Sequence, residues 1–455
     1  MAVKLNCYKN LKKKWINDLY HVLCNNCYII SHSNSKFIFL NNTIMRRIKL
    51  FSAMLISATF FINCTHDDYT PITGTLGPGI GESSDTLLVS RLSTAPIFDG
   101  VIDDVWDEAR PLINRATVSP AGDRVITLNG SSNGDLSLEP TDLMDPYTGE
   151  GYSYSLRGAH DGEYLYLLFE WEDDTDSQDR QSWFFNPVTS KWQQENKYAN
   201  HKNDKFYEDK FGFMFPIGNP EGFAGGTCTV TCHGNLANPQ PGEKVTRHYM
   251  KNEGELTDFW HWKRDRHALA EACDDGFIQW EDDEGMASAN GRKNDVGISP
   301  YSTSMKFTDD VTMMSGPKYV IPGRENYYWI TESEIGDGTA KAVTAVAVDG
   351  VLTYDGGTID PNGDPAYSQG FGNKRMPSII INPGGQGNDQ RSEVQVKAQH
   401  IGSGWQLEIR RKLITGDPTD TEFLMGTSIP FGLAIFNNAA IGHGQTNFLT
   451  MTLEN

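Results

Sequence analysis

Short runs rich in β-branched and aromatic residues, each cut off by clusters of Gly, Pro, Asn or Asp, recur along most of this chain and leave little room for long amphipathic helices. Residues 164–171 and 211–215 are two such runs. Near the C-terminus residues 393–398 alternate, 405–410 alternate after a Gly-containing turn, and 431–436 read as a buried strand; together they predict a meander. The best helical stretch is the short one at 102–109, preceded by Asp99-Gly100. These signals predict an all-β fold, a β-sandwich with long inserted loops and a few short helices, spanning residues 91–455. The Gly/Asp/Asn-rich stretches at 130–151, 274–302 and 349–390 read as functional or inserted loops. No tandem repeat is visible.

The N-terminal part has a different character. Residues 1–44 follow neither a helical nor a strand period and contain a Cys24-x-x-Cys27 pair, whereas Arg46, Arg47 and Lys49 precede an apolar run at 50–62 that stops at Asn63-Cys64. That arrangement is an export signal, too short to span a bilayer comfortably. Met45 is therefore the expected true start, with 1–44 upstream sequence, 45–64 the signal and 65–90 a polar tether. Cys64 ends the apolar run where a lipoprotein signal has its acylated cysteine, although Asn63 stands where that signal has a small residue. A periplasmic or cell-surface location follows, with membrane attachment through a lipidated Cys64 as a further expectation.

Charge narrows the partners. The chain has 39 Lys+Arg against 59 Asp+Glu. Removing residues 1–49, which hold nine basic residues but only Asp18 among the acids, leaves 30 against 58, or −28. So acidic a body repels phosphate backbones and suits a cationic protein partner, which argues against nucleic-acid binding.

The sequence Cys228-Thr229-Val230-Thr231-Cys232-His233 carries the strongest chemical signal. Covalent haem attachment needs two thiols for the two vinyl groups and an imidazole directly after the second thiol to bind iron. Cys232-His233 supplies that adjacency, with three residues between the cysteines where the usual motif has two. A disulfide loop is the structural alternative. A zinc site would have to recruit His248, His261 or Cys273, without the paired spacing such sites normally show. With His233 on one side of the iron, the residues alone leave Met250, His248, His261 and His443 open for the other. A Met thioether there would raise the reduction potential. Trp260 and Trp262 could wall a haem with their rings, or simply fill a core. The acidic runs 172–174 and 281–284 lack the spacing of a known calcium loop and read as solvated surface. Cys273 reads as a small buried residue.

Several motifs spread along the chain share one resemblance: 96–106 (PIFDGVIDDVW), 160–166 (HDGEYLY) with Trp171 and Asp173, Glu208-Asp209-Lys210 leading to Phe215-Pro216, the Cys232-His233-Gly234 loop, Met250 followed by 258–263 (DFWHWK), and 410–417. They resemble the haem-binding gamma subunit of ethylbenzene dehydrogenase and related haem domains of dimethyl sulfoxide reductase-like molybdenum enzymes. The resemblance implies a β-sandwich holding one haem between sheet and loops and exchanging single electrons, without substrate turnover. The implied partner is a redox protein, either a molybdenum oxidoreductase complex or another cytochrome. It also implies Met250 as an axial ligand. In members with non-covalent haem the opposite ligand is a Lys near the C-terminus, but here no Lys follows Lys412 and His443 stands in that last segment. This departure fits covalent haem c with His233 as second ligand, and keeps His443 as a rival. The competing expectation is a non-catalytic carbohydrate-binding module, because Asp99-Gly100 with Asp103 and Trp106 also resembles the opening of family-nine-type sugar-binding sandwiches.

Overall fold

The computed structural model describes residues 85–117, 151–195, 207–227, 250, 252–280, 291–302, 306–325, 327–367, 374, 376–383, 389–439 and 443–455. The chain divides at Thr70/Pro71, and the second unit, Pro71–Asn455, holds all of these residues. The expected upstream segment, the signal, Cys64 and most of the tether lie outside the described residues.

Twelve strands form one sheet: β1 (Thr86–Arg91), β2 (Leu112–Thr117), β3 (Gly151–His160), β4 (Tyr164–Glu172), β5 (Lys210–Ile217), β6 (Leu256–Lys263), β7 (Gly276–Gln279), β8 (Arg292–Asn294), β9 (Gln395–His400), β10 (Gly404–Lys412), β11 (Ser428–Phe436) and β12 (Gly444–Leu453). Their spatial order is β8-β7-β6-β5-β11-β12-β1-β3-β4-β10-β9, with β2 pairing β12 and β3. Only β1 runs parallel to its neighbours, β12 and β3. It begins at Thr86, within the stretch expected as tether, and Leu87 and Val89 alternate into the core.

The long sheet folds over on itself. Phe169 on β4 packs against Phe211 and Phe213 on β5 at ring-centroid distances of 5.7 and 5.4 Å, and Trp171 meets Trp262 on β6 at 6.4 Å. Strands far apart in sheet order thus stack face to face, which makes the fold a β-sandwich. The seam between β6 and β9 is filled by residues 271–275: His261 N–H donates to Asp274 O (2.9 Å), and Cys273 N–H to Val394 O (2.9 Å). Cys273 is buried in that seam, as expected for a small core residue.

Two local expectations change. The stretch 102–109 forms only a 3-10 turn, Asp104–Glu108, whose Asp103 makes no side-chain cap; it buries Trp106, which donates to Glu408 at 3.4 Å. Part of the loop expected at 349–390 is instead a hairpin, Leu352–Tyr354 with Gly357–Ile359, paired to Lys341–Val346. It closes a second small core around Trp183, Phe185, Trp192, Val346 and Leu352. Gly350 is required there: its φ is +90°, its carbonyl accepts from Trp192 Nε1 at 2.7 Å, and a Cβ would lie 2.1 Å from the Phe185 ring.

Candidate functional site

Side chains alternate across a strand, and β6 puts the two sets to different uses. Asp258, Trp260 and Trp262 point inward, whereas Thr257, Phe259, His261 and Lys263 form the outer set. The register of β11, β5 and β6 arranges the outer face in rows: Gly432–Met214–Phe259, Ala434–Gly212–His261 and Phe436–Lys210–Lys263. Gly212 and Ala434 leave the His261 imidazole without a bulky neighbour in its own row. Its flanks are aromatic, with Phe259 and Phe436 at 5.3 and 5.8 Å, and the His443 ring lies tilted against Phe436 at 4.5 Å.

The segment carrying the two cysteines starts and ends on this face. Residues 228–249, including Cys228, Cys232, His233 and His248, lie outside the described residues, but both flanking residues are fixed. Thr227 is fully buried, with φ +41°, and packs against Gly432, where a Cβ would lie 2.7 Å from its hydroxyl. Met250 is fully buried with Met214, Phe223 and Ile278; its N–H donates to Gln279 O (3.0 Å), and its sulfur accepts from the Thr257 hydroxyl at 3.7 Å. The ends of the segment are therefore held on adjacent rows of one sheet face.

Charge around the face is organised by buried ion pairs. Arg266 in the short helix α1 (Arg264–His267) binds Glu208 at 2.6 Å, while Asp274 gathers Lys263, Arg391 at 2.9 Å and His267 at 3.4 Å. Burial, reinforced by Lys263, Arg292 and Lys210, holds the His261 imidazole well below its ordinary pKa. Burial likewise pushes the Lys210 ammonium down. His261 is therefore neutral at physiological pH. Neither of its ring nitrogens has a hydrogen-bond partner among the described residues, although the side chain is only 6% exposed.

A buried neutral imidazole, a buried thioether and a row lacking bulk suit a flat, metal-centred cofactor. The structure brings Met250, His261 and His443 to this side. It sends Trp260 and Trp262 to the other: both are fully buried, Trp260 against Phe215 and Phe423, Trp262 against Phe211, Trp171 and Trp405. Strand parity thus sets Trp260 and Trp262 on the face opposite to His261, whose ring neighbours are Phe259 and Phe436. Gly212 and Ala434 were missed in the sequence, and the available signal was the alternation of 211–215, which puts Gly212 opposite to its phenylalanines.

Fold and site thus define a β-sandwich with a built, chemically distinct outer face. Residues 103–447 match the family model described as ethylbenzene dehydrogenase. The match spans most of the chain, which therefore belongs to the ethylbenzene dehydrogenase family. No curated protein matches it. Among solved structures, a family 9 carbohydrate binding module from Caldicellulosiruptor kristjanssonii is similar in its complexes with cellotriose and with glucose. Both are 10% identical, over 81% of this chain and 94% and 96% of theirs, with TM-scores of 0.25 and 0.24.

Proposed function

We propose that this chain is an exported c-type cytochrome-like protein that holds one haem c on Cys228 and Cys232, with His233 and Met250 as axial ligands, and passes single electrons to a redox partner. The observation that carries this reading is that the segment bearing Cys228, Cys232 and His233 is flanked at both ends, by Thr227 and Met250, on one outer face that also buries His261, whose ring nitrogens have no hydrogen-bond partner among the described residues. The haem, when bound, supplies a one-electron iron couple whose potential a thioether ligand raises. The thiols would fix its ring edge, and the surface of β5, β6 and β11 would exclude water. His248, His261 and His443 are the rivals of Met250 as the other iron ligand.

The partner would be a molybdenum oxidoreductase complex or another cytochrome, in keeping with the family and with a formal charge of −20 that favours a cationic docking surface. The location would be periplasmic or at the cell surface. The carbohydrate-binding reading is less favoured by its own opening motif, because Trp106, the ring that motif would offer, is 1% exposed and packed in the core.

The test is a reduced-minus-oxidised visible spectrum of protein matured by the c-type machinery, with haem staining after denaturing electrophoresis. The expected result is a c-type spectrum and haem that stays with the denatured chain, both lost in the Cys228→Ser/Cys232→Ser double variant. Haem released on denaturation would reduce the reading to a non-covalent cofactor, and a colourless protein would overturn it.

A further inference from the structure

The other end of β6 carries a cluster that electron transfer does not use. Asp258 on β6, Asp275 just before β7 and Asp420 in the connection between β10 and β11 converge, each offering a carboxylate oxygen within 4.8 Å of the other two. All three are buried, with Asp420 the most exposed at 4%. Arg411 on β10 is the cation that reaches them, 2.8 Å from Asp420 and 3.4 Å from Asp258. It is pinned by Thr421 O at 2.9 Å and lies over the Trp260 and Phe423 rings. One guanidinium faces three carboxyls, with Asp295 and Glu393 close enough to add their own charge.

The second observation is how these acids are held. Asp258 Oδ2 accepts from Thr421 N, Asp275 Oδ1 from Gly276 N, and Asp295 Oδ1 from the Thr419 hydroxyl, whereas Asp420 is held by its ion pair with Arg411. Asp258 Oδ1, Asp275 Oδ2 and Asp420 Oδ1 are buried without a hydrogen-bond partner among the described residues. So is Oδ2 of Asp295, a fourth acid outside the triad and 6% exposed, whose N–H donates to Asp275 O. Buried oxygens that face one another without donors need either protons or a cation. Burial, partly offset by Arg411, raises Asp258 to about 8, and burial with Asp420 nearby raises Asp295 to about 7.

We propose that Asp258, Asp275 and Asp420 form a structural site for one calcium-sized divalent cation, with Asp295 as the next carboxylate out. All-oxygen donors select a hard cation, and three buried protein carboxylates that converge within 4.8 Å suit calcium, which takes protein oxygen cages of flexible geometry, better than magnesium, which keeps several of its waters. Such an ion would tie together β6, the seam at 271–275 and the loop that carries the buried Phe423. The reading does not depend on haem.

The test uses full-length protein stripped with a calcium chelator, then titrated with Ca²⁺ or Mg²⁺ by calorimetry and thermal unfolding, and with Tb³⁺ followed by tryptophan-sensitised luminescence. One Ca²⁺ per chain, a higher melting temperature in Ca²⁺ than in chelator, weaker binding of Mg²⁺ and Tb³⁺ emission displaced by Ca²⁺ are expected. Asp275→Asn should lower the Ca²⁺ affinity at least tenfold while melting no lower than wild type in chelator; Asp282→Asn/Asp283→Asn should keep full affinity. If Asp275→Asn does not fold, the wild-type titrations and terbium displacement still decide. Identical melting in Ca²⁺ and chelator with no binding heat overturns the proposal, as does undiminished binding in a folded Asp275→Asn.

Discussion

The inner and outer faces of β6 are built from alternate residues of one eight-residue strand, yet they obey different rules. Inward, Trp260 and Trp262 meet seven other aromatic or cationic side chains of the core at contact distance, and what holds them is buried apolar area and ring packing. Outward, His261 and Lys263 are equally hidden but polar, and their neighbourhood is held by ion pairs: Lys263 and Arg391 on Asp274, Arg266 on Glu208. Among the described residues both faces bury ring nitrogens without a hydrogen-bond partner, but the Trp260 and Trp262 indole N–H groups of the inner face cannot ligate a metal, whereas the His261 imidazole beside Gly212 on the outer face can. Burial alone therefore does not separate core from site; the chemistry of what is buried does.

The sharpest way to break this contrast is truncation on each face, measured by denaturant unfolding. Trp262→Ala removes an indole in contact with Phe211, Trp171 and Trp405. It should cost about 3–5 kcal/mol, the range for a large aromatic deleted from a packed core. A loss below about 1 kcal/mol would mean that the two sheet halves do not rely on their aromatic contacts.

Acid should reach the outer network and leave the aromatic face indifferent. His267 accepts from Lys263 N–H at 2.9 Å, and burial lowers its pKa to about 4 from an ordinary 6.5. Between those values the unfolded chain binds a proton that the folded chain refuses, so stability is full above about pH 6.5 and falls as pH drops toward 4. At pH 5 the loss attributable to His267 is about 2 kcal/mol. Asp258, raised to about 8, acts in the opposite sense, so the effect is read as the difference between wild type and His267→Gln at pH 7 and pH 5. Equal pH dependence in both would show that His267 titrates normally.

How far this contrast could be read from the sequence depends on the interaction that decides each part. Strands 164–172, 404–412 and 428–436 were legible because their alternation is a local record of a buried face. The hairpin at 352–359 was hidden inside a glycine-rich stretch, although Asp355-Gly356, with φ +96° at the glycine, is a two-residue turn signal between short strands. Met250 was legible only through family resemblance. The side to which Trp260 and Trp262 point was not, because a strand buried on both faces has no hydrophobic alternation to show its parity. Asp258, Asp275 and Asp420 were illegible for a simpler reason: they are scattered over more than 160 positions and meet only when β6, the seam and the β10–β11 connection are assembled.

The smallest expected effect sharpens the comparison most. His261→Leu replaces a buried imidazole, whose nitrogens lack partners among the described residues, by an apolar side chain of similar bulk. Exchanging an unsatisfied polar group for an apolar one of like shape is close to neutral or stabilising. In haem-free protein the change should stay within about 1 kcal/mol of wild type, whereas truncation of a buried inner residue such as Trp262 carries a large penalty. The haem-loaded protein then separates His261 from Met250. If Met250 binds the iron opposite His233, His261→Leu keeps the reduced spectrum and shifts the potential only slightly, while Met250→Ala loses the spectral signature of a thioether ligand and lowers the potential. The reverse pattern would move the axial role to His261 and leave Met250 as packing between β5, β6 and β7.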